Sequence, residues 1–425
     1  MGILLQHATL IDPVALTAAP GDLLIEDGVI TAMAPGIAAP GHEAIDCAGL
    51  CIAPGLLDMH VHFRDPGLTY KEDIVTGSAA AAAGGFTTVA CMPNTKPVLD
   101  TPELMDYVLE KGKNQGSCHV LPIGAVTLGQ KGEALADFPA LAEAGAVAFS
   151  DDGVPVTSAQ RMRDALIAAK ALGKAVISHC EDGEMVKNYA VNEGEVSRQL
   201  GLPGRPAIAE DLMVARDLML AKETGGHVHI AHVSTKGSAE LIRQAKAQGV
   251  PVTAETCPQY FIFTEQEILK KGTQARVNPP LRTEEDRQAI LAAVIDGTLD
   301  CIVTDHAPHS AEEKARPLPD APSGMVGLET SLAACLTYLV APGYLTLPQL
   351  IRKMTRLPAE ILGLEAGVLK VGGPADLCVF DPNETWTVDP AQFRTKGRST
   401  VFTGEALTGR VKLTLCGGKI TYNAL

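Results

Sequence analysis

Gly55-Leu56-Leu57-Asp58-Met59-His60-Val61-His62-Phe63-Arg64 is the stretch from which the rest of the chain can be read. It begins as an apolar run with strand character and breaks into histidines and an arginine where that strand should end. Side chains alternate across a strand, so His60, His62 and Arg64 share parity and can face one side. Two imidazoles spaced in this way can hold one metal ion. The same spacing, taken alone, also suits two histidines that cap a strand. Repetition separates the two readings, and the pattern repeats. After this first run at 55–62, further β-like runs occur at 86–92, 119–126, 146–151, 175–179, 227–233, 250–256 and 300–305. Helical stretches follow them, among them 158–172, 211–223, 239–248 and 284–295. Strand and helix in alternation are the mark of parallel βα units, and eight of them predict a (β/α)8 TIM-type barrel. An open doubly wound sheet would want a glycine-rich phosphate turn after a strand, and neither GxGxxG nor GxxxxGK[ST] occurs.

The flanks read differently. Residues 4–52 alternate short β-like runs (22–25, 29–33, 44–46) with Gly, Pro and Asp turn signals, and the tail from Gly367 does the same at 375–380, 399–402, 411–415 and 419–422. The two ends are therefore expected to fold together as one small β-sandwich domain of structural role, from residues 1–54 and 366–425, around a barrel at 55–365.

Other predicted barrel strands also end in ligand-type residues: Asp151-Asp152 after the fourth, His179 after the fifth, His232 after the sixth and Asp305 after the eighth. Barrel active sites are built at that end. Histidines and carboxylates gathered there would be costly to desolvate without a partner, and a metal ion suits such a mixed N/O set. Zn²⁺ fits it, with Mn²⁺ and Co²⁺ also compatible. Spacing does not separate Asp151 from Asp152, or His232 from His229. Asn94 ends the second strand, so Arg64 and Asn94 flank the donors as a cation and an amide, an arrangement that grips a carboxylate. A surface ion pair is the plainer reading of Arg64. The charged, proline-containing segment 310–323 after Asp305 reads equally as a lid over the barrel mouth or as a solvated loop.

A formal charge of -15 argues against nucleic acid or an anionic membrane as main partner and leaves a small molecule. An anionic substrate would then need local positive charge at the site. The ten Cys are scattered without CxxC pairs, which fits a reducing cytoplasm, and neither a signal segment nor an apolar run of membrane-spanning length is present.

The strings DMHVHFRDPG (58–67), GFTTVACMPNT (85–95), FSDDG (149–153), SHCED (178–182), IAHVST (230–235), VTDHAPH (303–309) and GLE (327–329) together closely resemble the dihydroorotases, a branch of the amidohydrolase superfamily. The resemblance spans nearly the whole chain. It implies a metal site of one or two Zn²⁺ ions on His60, His62, Asp152, His179, His232 and Asp305, with Asp305 also the catalytic acid/base. It places substrate contacts at Arg64, Asn94, Asn278 and His309, and at the backbone near Pro322 and Gly324. Many superfamily members bridge two metals with a carboxylated lysine at the end of the fourth strand. No lysine occurs in 146–152, and Asp152 resembles the bridge of the aspartate-using branch. The implied reaction is reversible hydrolysis of dihydroorotate to N-carbamoyl-aspartate in pyrimidine biosynthesis. Family habit implies a homodimer, and an active enzyme of this kind could also have aspartate carbamoyltransferase as a partner. Hydantoinase, dihydropyrimidinase and allantoinase chemistry is the nearest alternative, and a non-catalytic scaffold for the carbamoyltransferase is an alternative of another class. The missing lysine and the Arg64–Asn94 pair favour dihydroorotate over the first, and the complete ligand set disfavours the second.

Overall fold

The computed structural model describes residues 2–187 and 189–425. Its centre is a set of parallel strands that pair in chain order. Leu56–Val61, Phe86–Cys91 and His119–Pro122 form one sheet, and Gly124–Ala125, Phe149–Ser150, Val176–Ser178, Val228–Ile230, Val252–Thr256 and Cys301–Ile302 form another. Backbone bonds join the two groups. Ile123 N donates to Cys91 O at 3.0 Å and Val147 N to Pro122 O at 3.0 Å. At the other edge Val61 bridges His306 in parallel, and His62 N donates to His306 O at 2.8 Å, so the last strand returns to the first.

The helices between these strands are closed by their own sequence. Ser158 caps Ala159–Ala171 through Arg161 N, Thr235 caps Lys236–Ala247 through Ser238 N, and Thr283 with Asp286 makes a capping box before Glu284–Asp296. The strands are nearly all buried, as parallel strands covered by helices must be. Their β-branched and aromatic side chains join one continuous apolar core, in which Phe138 stacks on Phe149 with ring centroids 3.8 Å apart.

Strands from the two chain ends pair in an eight-stranded sheet. Its order runs Lys419–Asn423, Ala406–Cys416, Leu377–Thr387, Cys51–Pro54, Ile3–Asp12, Thr17–Glu26, Val29–Ala34, with Glu43–Asp46 also paired to Ile3–Asp12. One face has its own core of Leu5, Leu23, Ile25, Ile30, Ile52, Leu377, Val379, Leu413 and Leu415. The predicted strand at 399–402 does not form. That segment turns aside instead: Ser399 O accepts from Val326 N at 2.9 Å, and Phe402 meets the Phe263 ring with centroids 5.1 Å apart. Its hydrophobic residues are bound to a neighbour's surface rather than to a ladder, which local pattern cannot distinguish.

Candidate metal centre and substrate pocket

Each donor enters the site because its strand ends there. His60 lies in the last turn of pleat of Leu56–Val61, His62 and Arg64 just beyond it, and Asp152, His179, His232 and Asp305 within four residues of the ends of their own strands. Three of these residues have left-handed backbones, Arg64 (φ 60°), His232 (φ 32°) and Asp305 (φ 48°). A side chain with a Cβ pays strain to adopt that conformation, and such strain concentrates at functional sites.

The six predicted metal ligands come together. His62 Nε2 lies 3.1 Å from Asp305 Oδ1 and 3.3 Å from Asp152 Oδ2. Asp152 Oδ1 lies 3.5 Å from His60 Nε2, 3.4 Å from His232 Nε2 and 3.3 Å from His179 Nδ1. Two overlapping sets, His60–His62–Asp305 and His60–Asp152–His232, can each surround an ion. The geometry also separates the pairs that spacing left open. Asp151 accepts from Val126 N at 2.8 Å and from Thr127 N and Oγ1 at 3.1 and 2.5 Å, outside the cluster. His229 turns to Thr253 Oγ1 and Glu255 Oε2, at 2.8 and 3.1 Å.

Three polar atoms in this cluster are buried with no hydrogen-bond partner: His60 Nε2, Asp152 Oδ1 and His232 Nδ1. Buried polar atoms left unpaired are expensive, and here all three belong to ligand-type groups. Burial opposes ionisation of Asp152, yet His60, His179 and His232 hold its carboxyl well below the ordinary range. Burial likewise opposes a charged His60, but Asp152 and Glu255 raise its pKa well above the usual value. The surroundings therefore call for positive charge at this point, and a divalent cation fits the N/O donors that converge on it.

Glu255, which the sequence reading did not single out, fixes His60 from behind. Its Oε1 lies 2.5 Å from His60 Nδ1, and despite burial the imidazoles of His60 and His229 hold its carboxyl at about 2. A carboxylate on the far nitrogen of a ligating histidine sets its tautomer and orientation.

Beside the donors lies a pocket of about 280 Å³ lined by Arg64, Asn94, Asp152, Arg205, Asn278, His309, Ser323 and Gly324 among others. Asn94 Oδ1 accepts from His62 Nδ1 at 2.9 Å, and Asn278 Nδ2 lies 3.3 Å from His179 Nε2, so both amides tie pocket to donors. Arg64 Nε donates to Pro308 O at 3.3 Å, and an η nitrogen lies 3.5 Å from His309 Nε2. Burial, then Arg64, Lys71 and Lys314, push His309 down to about 2, so its imidazole is neutral, and Nε2 donates to Ser323 O at 2.9 Å. Gly324, at φ 135°, leaves no room for a Cβ, which would sit 2.6 Å from Ala307 O. Pro322 does not line the pocket. Its carbonyl is taken instead by Lys314 Nζ at 3.1 Å. Arg205 is a second pocket cation absent from the sequence reading. It is held by Glu181 at 2.9 Å and bonds the Asn278 amide oxygen.

The L-hydantoinase (dihydropyrimidinase) of Arthrobacter aurescens superposes with a TM-score of 0.87 over 99% of this chain and 96% of that one, at 26% identity. Fold and donor cluster together define a cyclic-amide hydrolase. A family model described as Dihydro-orotase-like matches residues 49–238. The dihydroorotase of Geobacter metallireducens is 50% identical over 99% of this chain and 100% of that one, and that of Citrifermentans bemidjiense is 50% identical over the full length of both. The chain belongs to the dihydroorotase family. No helix among the described residues is long and apolar enough to cross a membrane.

Proposed function

We propose that this chain opens and closes the dihydroorotate ring at the pocket between the donor cluster and Arg64, on the mouth of a (β/α)8 barrel flanked by a small β-sandwich. The observation that carries this reading is the convergence of six ionisable donors, with three orphaned buried atoms, beside a pocket holding two arginines in a chain of net charge -15. His60, His62, Asp152, His179, His232 and Asp305 would hold the metal, as one or two Zn²⁺ ions. A bound divalent cation would make water acidic enough to ionise near neutral pH, its pKa falling from ~15.7 toward ~7, and would polarise the ring carbonyl.

The chain's own groups do the rest. Asp305 takes the proton of the attacking water, whose oxygen adds to the ring carbonyl carbon. As the ring C–N bond breaks, Asp305 hands that proton to the departing nitrogen, giving N-carbamoyl-L-aspartate, and the reverse path closes the ring. Arg64 offers its guanidinium fork to the substrate carboxylate, with Asn94, Asn278 and neutral His309 as hydrogen-bonding partners. The backbone at Gly324 supplies the opposite wall. Asp152 stands where a carboxylated lysine would bridge, and with the Arg64 clamp this favours dihydroorotate over hydantoin-type rings. A homodimer and an aspartate carbamoyltransferase partner are proposed on the family resemblance, and a cytoplasmic location on the ten scattered cysteines without CxxC pairs.

The test is turnover of L-dihydroorotate by the purified protein as isolated, after chelation, and after reloading with zinc. Loss on stripping and return on reloading support the reading. A folded, zinc-loaded protein without turnover overturns it.

A further inference from the structure

A second cluster of metal-ligating side chains lies at the other end of the strands. His119 opens the strand His119–Pro122, whose far end faces the active site, so its side chain is at the N-terminal rim. Asp376 precedes the sheet strand Leu377–Thr387, and Cys416 ends Ala406–Cys416. Their donor atoms, one imidazole nitrogen, one carboxylate oxygen and one thiol sulfur, all lie within 4.8 Å of one another. His119 Nε2 is 3.3 Å from Asp376 Oδ2. Tetrahedral N and O ligands about 2.0 Å from a shared zinc ion stand roughly 3.3 Å apart, so this edge already has the needed length.

Access separates this cluster from the protein's other thiols. Of ten free cysteines nine are buried, and Cys416 alone is partly open to solvent. It lines, with His119 and Cys118, a cavity of about 490 Å³ between the barrel strand and the terminal sheet. The frame is also fixed: Gly417 N donates to Asp376 Oδ1 at 2.6 Å, and Gly55 N to Asp376 O at 2.8 Å.

We propose that His119, Asp376 and Cys416 form a second, peripheral site for a borderline divalent ion of the zinc type, with a fourth position open to water. Mixed N/O/S donors select such ions over Mg²⁺ or Ca²⁺. Its occupant would staple the barrel's N-terminal rim to the terminal sheet, since its ligands come from both.

The probe is Co²⁺ given to the chelator-stripped protein at neutral pH, where a thiolate ligand gives near-ultraviolet charge-transfer absorption. The expected result is one cobalt per chain beyond those at the active site, with that band, and loss of both in Cys416→Ser and in His119→Ala, while dihydroorotate turnover of the cobalt-loaded protein is unchanged in either variant. No thiolate band in the parent protein, or a band that survives either substitution, overturns the proposal.

Discussion

At the scale of single residues, the site works by opposing demands on charge. Asp152 is kept ionised by three imidazoles, His60 draws positive charge from Asp152 and Glu255, and His309 is kept neutral by burial and the cations around it. Asp305, the acid/base of the proposed mechanism, lies 3.1 Å from His62 Nε2 and lines the pocket. Asp305→Asn is expected to lower kcat by roughly 10²–10⁴-fold, with zinc content, measured by metal analysis of the purified variant, little changed. Near-normal turnover would remove the acid/base role from this residue. The donors were legible in the sequence because each ends a strand. Glu255 and Arg205 were not: Glu255 sits within a strand where its charge has no local partner, and Arg205 reaches its partners Glu181 and Asn278 from 24 and 73 positions away. The signal for Glu255 was a lone carboxylate in a run otherwise built for burial.

At the scale of elements, the segment after Asp305 is pinned rather than loose. Ser310 caps the short turn Ala311–Lys314, and Glu313 joins Lys71 at 3.0 Å and the Tyr70 hydroxyl at 3.0 Å. Lys314 Nζ donates to the carbonyls of Arg276, Pro322 and Gly324 at 3.3, 3.1 and 2.9 Å, fastening the pocket wall from behind. Burial, then Arg276, lower this lysine's pKa to about 7 from the usual 10.5. The folded chain thus sheds the proton near pH 7 while the unfolded chain keeps it to about 10.5, so this group's contribution to stability grows as pH rises between those values. Lys314→Met should lose that rise and, with the Pro322 and Gly324 carbonyls left unpaired, about 1–3 kcal/mol of stability. Urea unfolding across pH 7 to 10 reads both, and a raised KM with kcat less affected should accompany them.

Sequence pattern located the elements well where helices carry caps, as at Ala159–Ala171 and Glu284–Asp296. It overran the strands: 146–151 shrinks to Phe149–Ser150 and 300–305 to Cys301–Ile302, the flanking residues keeping single backbone bonds to the neighbouring strand, as Val147 N to Pro122 O and Val303 N to Thr256 O, both at 3.0 Å, without a continued ladder. Ile3–Asp12 went unread for the opposite reason. It pairs with three strands and carries no clean alternation.

At the scale of the whole molecule, the terminal sheet is joined to the parallel strands through its middle. Cys51–Pro54 pairs with Leu377–Phe380 in antiparallel register and leads after one residue into the first parallel strand, Leu56–Val61. Thr414 Oγ1 donates to Ala82 O at 2.7 Å, tying the tail to the helix Ile74–Ala83. Leu377 is fully buried in the sheet's own core, so Leu377→Ala should cost about 2–5 kcal/mol and lower the melting temperature with kcat intact. A thermal scan beside a turnover assay checks this. Unchanged melting would mean that the terminal sheet contributes little to overall stability.

The pairing of Cys51–Pro54 with Leu377–Phe380 also bears on how the chain is made. During synthesis the strand at 51–54 leaves the ribosome more than three hundred residues ahead of its partner, so the amino-terminal strands wait with an open edge while the parallel strands and their helices are produced. Such distant pairing is slow to form and leaves sticky edges exposed in the meantime. Nascent chains stopped before residue 377 therefore expose the Cys51–Pro54 edge that Leu377–Phe380 covers in the finished protein.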